Sequence, residues 1–241
     1  MAYFRQYNSA GKLLFDASAP AYMCIEKATV TLNAPVSNYY SGLAAYYTVS
    51  FTVKTAYPPM IFVRSETAST NHYRAACCIS SLSVSGNTYT FTIWGEGTSN
   101  LNSQQVTYYI FACPSDDTSA RVGVMALWNE SGIKTFDSDY KYLLISQFYS
   151  SQNSTLPANV TGSLSSGRSY AFCNTQLSGF DDFGGSNSTT IAAVDRFQFW
   201  QDSATSFIYG LGVLSDALSN KPAGSFQNFN LSFILADVTS I

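Results

Sequence analysis

An all-β chain of sandwich or barrel type is what this sequence predicts, and three features carry that reading. Alternating runs of β-branched and aromatic residues recur along it, clusters of Gly, Asn, Ser and Pro separate them, and helical turns are few and short. β-Branched and aromatic side chains pack well on a pleated sheet, whose successive residues face opposite sides.

The strands follow in order. Ala45–Val53 (AYYTVSFTV) alternates and is rich in Tyr, Val and Thr. Comparable runs are Met60–Arg64, Thr88–Trp94, Val106–Cys113, Lys141–Tyr149, Ser169–Cys173, Ala193–Trp200 and Phe226–Ala236. Ser85-Gly86-Asn87 and Pro58-Pro59 punctuate them as turns. Residues 150–190, rich in Ser, Asn and Gly, read as longer loops, and helical turns are confined to the stretch around Asp216 to Asn220.

The chain of 241 residues holds one large β domain or two small ones. Hydrophobic residues make up 46% and charged residues 11%, against a usual charged share of about 25%. That balance excludes a disordered chain. It leaves a surface of Ser, Thr, Asn, Gln and Tyr, which suits permanent assembly because few charges are desolvated when subunits meet. The formal net charge is -3, and Arg64, Arg74, Arg121 and Arg168 are scattered singly. A nucleic-acid partner needs a basic stripe, so none is expected. No apolar run has the length of a membrane span, and Met1 to Gln6 lacks the apolar core of a signal peptide. Synthesis in a cytosol is the expectation.

Of the five cysteines (Cys24, Cys77, Cys78, Cys113, Cys173), two are adjacent, and adjacent strand residues face opposite ways. They read as buried small hydrophobes in a reducing cell. Asn153, Asn159 and Asn187 begin Asn-x-Ser/Thr triplets, which carry no weight without secretion.

An internal echo is the most informative feature. Tyr7 to Asp16 reads YNSAGKLLFD, and Trp128 to Asp137 reads WNESGIKTFD. Asn8, Gly11, Phe15 and Asp16 meet Asn129, Gly132, Phe136 and Asp137 at one offset, 129 − 8 = 121. Asn-x-x-Gly is the chemistry of a type I turn ending at positive φ: Asn caps the turn and Gly takes the left-handed conformation. The motif therefore predicts a hairpin with a bulge at the glycine. Phe15 and Phe136 are expected to point into the core, and Asp16 and Asp137 to open an Asx-type turn. Two copies imply duplication, with a boundary in Pro114–Ala120 that gives two β domains, 1–119 and 120–241, or one sheet system shared by both copies.

The aromatic-Asn-x-x-Gly-x-x-x-Phe-Asp hairpin, the strand Tyr108–Ala112 and the Pro-initiated strand Pro59–Arg64 together resemble a family of bacteriophage tail proteins. These belong to long-tailed lambda-like and T1-like phages and are encoded near the central tail fibre or tip protein. The likeness covers residues 1–30 and 59–148, although Ala17 and Ala19-Pro20 replace the Ser and charged residues of the family pattern in the first copy. The resemblance implies a virion structural protein, assembled in the host cytoplasm, that binds other tail proteins, with a homotrimer or threefold arrangement. It brings no catalytic residue and no cofactor.

Chemistry is sparse. The single histidine, His72, lies in a polar run and reads as a surface-loop residue, and clustered zinc-ligand spacing is absent. Asp116-Asp117 and Asp181-Asp182 are acidic neighbours, whereas a glycosidase needs two carboxylates across a cleft. Gly179–Gly185 lacks the regular ligand spacing of a calcium loop. Tyr39-Tyr40 and Trp94-Gly95-Glu96-Gly97 are read as loop-tip aromatics available for contact. A receptor- or glycan-binding adhesin using loops 150–190 is the alternative function. A polysaccharide-degrading tail enzyme using Asp181, Asp182 and His72 ranks third.

Overall fold

The computed structural model describes residues 5–7, 9–11, 13–16, 20–32, 34–37, 43–68, 73–95, 104–117, 123–153, 160–174, 179–184, 191–214 and 229–241. The first half carries β1 (Arg5–Tyr7), β2 (Leu13–Asp16), β3 (Met23–Thr31), β4 (Ala34–Ser37), β5 (Leu43–Thr52), β6 (Met60–Ser65), β7 (Arg74–Ser85), β8 (Thr88–Gly95) and β9 (Gln105–Ala112). A 3-10 turn, Pro114–Asp116, follows. The second half carries β10 (Ala126–Trp128), β11 (Lys134–Asp137), β12 (Lys141–Tyr142), β13 (Leu144–Asn153), β14 (Val160–Ser163), β15 (Tyr170–Asn174), β16 (Gly179–Gly184), β17 (Ile191–Ser203), β18 (Ser206–Leu214) and β19 (Phe229–Asp237). The chain is all-β, as its alternating runs predict. The stretch around Asp216 to Asn220 lies outside the described residues.

Two hairpins, β1-β2 and β10-β11, stand apart from two large antiparallel sheets. One has seven strands in the order β12-β3-β9-β6-β15-β19-β13; the other has eight, β14-β18-β17-β7-β8-β5-β4 with β16 on β17. Within each order, the first half's strands mirror the second's: β3-β9-β6 faces β15-β19-β13, and β5-β8-β7 faces β17-β18-β14. The register repeats as well. The two sister hairpins of the larger sheet end in pairs Ser85↔Thr88 and Ser203↔Ser206. The neighbouring strands meet them at Thr52↔Thr88 and Ser163↔Ser206. A bulge interrupts β3 between Cys24 and Glu26 and β13 between Ile145 and Gln147, again 121 positions on (24 to 145).

The halves join where sister strands run antiparallel, β6 beside β15 (Val63↔Phe172) and β7 beside β17 (Cys77↔Phe199). Both sheets therefore cross the sequence boundary, and side chains from both halves fill one core. This corrects the division into separate domains at 119 and 120 in favour of the shared sheet system. The physical reason is that β6 and β7 would otherwise end their half-sheets with unpaired backbone groups. The polar stretch after β9 is also no free linker. Asp116 is buried and accepts from Lys54 N–H at 2.7 Å, Thr55 N–H at 2.8 Å and the Thr55 hydroxyl at 3.0 Å.

Two further departures have local causes. Lys141–Tyr149 is not one strand, because Leu143 donates its N–H to Tyr22 O at 2.9 Å and the chain changes sheet edge there. β12 joins β3, and β13 joins β19. The predicted loops over 150–190 contain the end of β13 and all of β14, β15 and β16. Small residues there serve close packing: a Cβ on Gly162 would lie 2.4 Å from the Phe207 ring.

Phe172 of one sheet stacks on Phe199 of the other at 5.1 Å, and Phe233 meets Tyr209 at 4.7 Å and Phe207 at 5.8 Å. Burying each such side chain contributes about 1.5–3 kcal/mol. Inner strand β9 is buried on both faces after its first residue, which explains its run VTYYIFA, apolar but for Thr107.

Candidate functional site

The repeated motif builds the same hairpin twice. Arg5↔Asp16, Gln6↔Phe15 and Tyr7↔Leu13 pair in the first copy, and Ala126↔Asp137, Leu127↔Phe136 and Trp128↔Lys134 in the second. Both ladders slip at the same step, Gln6/Tyr7 and Leu127/Trp128. Gly11 and Gly132 have φ of 74° and 72°, a region that strains any side chain with a Cβ. In the second turn Gly132 N–H donates to Asn129 O at 3.0 Å. Asn129 Oδ1 accepts from the N–H groups of Ser131 and Ile133, each at 3.0 Å. Asn8 and the side chains of Phe15 and Asp16 lie outside the described residues.

Phe136 does not point into the core. It is half-buried and stacks on Tyr142 with ring centroids 5.3 Å apart, while Thr135 and Asp137 are the buried residues of β11. Docking of the hairpin on the first half sets this facing. Thr135 C=O accepts Ala21 N–H at 2.9 Å, and Cys113 Sγ donates to Lys134 O at 3.2 Å.

Asp137 anchors the module. Its Oδ1 accepts from Gly123 N–H at 2.9 Å and, as an Asx turn, from Asp139 N–H at 3.0 Å; Oδ2 takes Lys134 Nζ at 2.8 Å. Burial alone would raise this carboxyl. The Lys134 hydrogen bond, the two backbone donors and the Lys134 charge outweigh it and hold the group below the usual carboxylate range.

From this hairpin into β13 the surface turns apolar. Val124, Met125, Trp128, Tyr142, Leu144, Ile145 and Phe148 are all exposed large hydrophobics, with Phe148 64% and Ile145 57% accessible. β13 is an edge of the seven-stranded sheet and pairs only with β19 among the described strands. Its sequence, LISQFYSSQN, contains no charge. Sequence reasoning missed this exposure because Leu143–Ile145 reads as a core run; the missing charge on a long strand was the available signal. An uncharged edge offers backbone N–H and C=O groups for strand addition and apolar side chains for burial.

The other singled-out residues disperse. His72, Glu96, Gly97 and Tyr39-Tyr40 lie outside the described residues. Asp181 and Asp182 belong to β16, opposite Val194 and Ala193, rather than to a loop. Trp94 and Gly95 end β8 and are not loop-tip residues: Trp94 is half-buried and Gly95 buried. Gly95 is required because a Cβ there would lie 2.1 Å from Gln104 Oε1. Buried Gln104 in turn donates to Ser65 Oγ at 3.1 Å and Ala76 O at 3.0 Å. None of the five cysteines forms a disulfide among the described residues. Burial pushes the thiols of Cys24 and Cys173 up to about 11 and about 12, so both stay protonated and are poor nucleophiles. No family model, no curated protein and no solved structure matches this chain.

Proposed function

We propose that this chain is a non-enzymatic virion structural protein of a phage tail tip or central fibre, acting in assembly or stabilisation. The observation that carries the reading is the long, uncharged and exposed edge strand β13. Soluble proteins blunt such edges with charge or cover, and an edge left bare is a site for pairing with another chain. The resemblance of the hairpin motif to tail proteins supplies the phage context. The partners under this reading are other tail proteins, foremost the central fibre or tip protein, in a homotrimeric or threefold arrangement.

Mass spectrometry of purified virions is the test. The protein is expected in the particle at threefold multiplicity relative to the tail axis, and its absence from the particle would overturn the proposal.

A second reading, a receptor- or glycan-binding adhesin, is favoured by Trp128, which is 55% exposed on β10, and by the nearby Phe136–Tyr142 stack. Aromatic faces of this kind stack on sugar rings. Trp128→Ala lowers host adsorption by otherwise intact particles under the adhesin reading and leaves it unchanged under the structural one.

A further inference from the structure

At the seam between the halves the two ends differ. At one end the side chain of Asn174 on β15 bridges to β7, accepting from Ile79 N–H at 3.1 Å and donating to Ile79 O at 2.8 Å. That amide closes the seam. At the other end, past the pair Val63↔Phe172 that joins β6 to β15, lies a cavity of about 140 Å³. Three of the arginines that stand singly in the sequence converge on it: Arg64 from β6, Arg74 from β7 and Arg168 from the turn before β15. Tyr73, Tyr170 and Gln201 complete its polar wall.

The hydrogen-bond donors there outnumber the acceptors they meet. Arg64 and Arg74 share a single carboxylate oxygen, Glu66 Oε2, at 2.7 and 3.0 Å. Arg168 binds Asp237 Oδ2 at 2.7 Å. The three guanidinium groups thus meet the carboxylates of Glu66 and Asp237, and Tyr73 N–H donates to Asp202 O at 3.4 Å. Arg74 Nη1 also donates to Ser65 O at 2.9 Å. Each guanidinium carries five N–H donors, so most of the donor capacity around the cavity is unused by these contacts. Among the described residues the buried Nε of Arg64 meets no hydrogen-bond acceptor, a costly arrangement that a bound acceptor within reach would relieve.

We propose that this seam cavity binds one oxyanion group, a carboxylate, phosphate or sulfate, held by Arg64, Arg74 and Arg168. Arginine forks match the oxygen spacing of such groups and bind them by paired hydrogen bonds. The volume suits a single charged group rather than a whole polymer, so an acidic sugar or a phosphate ester would present its anionic end. The site goes beyond the tail reading and does not depend on it.

Isothermal titration of the full chain at constant ionic strength tests the proposal, using acetate, glucuronate, inorganic phosphate and sulfate in separate arms. Saturable binding is expected for at least one of them, with Kd on the order of 1 mM or tighter, and weakened at least about tenfold by Arg168→Gln or Arg74→Gln. A carboxylate-only response identifies an acidic-sugar or carboxylate source, and a phosphate- or sulfate-only response identifies an ester or free-anion source. Lys141→Gln, on exposed β12 and outside the cavity wall, should leave affinity unchanged. If no arm binds, or if binding survives Arg168→Gln and Arg74→Gln undiminished, the proposal is wrong. Arg168 is 54% exposed, so its variant is expected to fold, and near-ultraviolet circular dichroism separates lost affinity from lost structure.

Discussion

β3 and β13 are sister strands toward opposite ends of one sheet, with the same bulge at the same step; β13 is an edge strand, β3 is flanked by the two-residue β12 at Met23 and Cys24, and the two meet solvent differently. β3 carries Glu26 and Lys27, both engaged within the chain: Glu26 accepts the Tyr108 hydroxyl at 2.6 Å, and Lys27 Nζ donates to Ile241 O at 2.7 Å. At the offset of 121 (26 to 147, 27 to 148), β13 has Gln147 and Phe148 instead. The first repeat places charge on its edge, and the second replaces it with an exposed aromatic ring. The two halves share this scaffold and differ at its edge.

The largest expected effect comes from exchanging those edges. Phe148→Lys imports the charge of β3 onto β13, and under the proposed function it should reduce incorporation into particles at least about tenfold, because a charge buried at a strand interface costs several kcal/mol. Thermal melting of the isolated variant should change little, since a surface substitution is usually within about 0.5 kcal/mol. Incorporation at the parental level would remove β13 from the assembly account. The reciprocal Lys27→Phe tests whether an exposed ring alone makes an edge adhesive; light scattering should show new self-association.

Stability comparisons come next. Asp137→Ala strips the acceptor from Lys134 Nζ and from the Gly123 and Asp139 N–H groups. A loss of about 2–3 kcal/mol in denaturant unfolding is expected. Gly132→Ala and Gly11→Ala force a Cβ into left-handed backbone with open space around it. Each should cost about 1 kcal/mol, and equal costs would show that both turns are equally fixed.

The smallest effect is on pH. Asp137 and Asp237 both have folded-state carboxyl groups held below the ordinary value of 3.8. At Asp237 burial again opposes the shift, and hydrogen bonds from Thr239 with the charge and hydrogen bond of Arg168 prevail. A lowered folded pKa means stability that is present above the unfolded value and lost as pH falls through the folded one. Melting temperature should therefore hold down to about pH 4 and fall below it. Asp137→Asn should flatten that acid limb more than Asp237→Asn, because Arg168 is the more exposed partner.

Much of the fold was legible in the sequence where local chemistry decides it. Asn129 and Gly132 specify their turn through contacts within five residues, and the alternation of Ala45–Val53 needs only a half-buried face. What was hidden depends on partners distant in sequence. The pairing of β6 with β15 joins residues more than a hundred positions apart, and no pattern within either strand announces it. β14 reads as loop because Gly162 makes way for Phe207, a packing reason invisible until both are placed. Phe136 stays half-buried against Tyr142 rather than in the core because β11 docks on Ala21 and Cys113. The arginine cluster was unreadable for the same reason: Arg64, Arg74 and Arg168 meet only through the seam.

Hydrogen–deuterium exchange by mass spectrometry, comparing the isolated protein with assembled particles, addresses the role of β13 most directly. The account predicts strong new protection for peptides covering Leu144–Asn153 on assembly and little change for Met23–Thr31. Equal exchange of the Leu144–Asn153 peptides in the free and assembled states would contradict it.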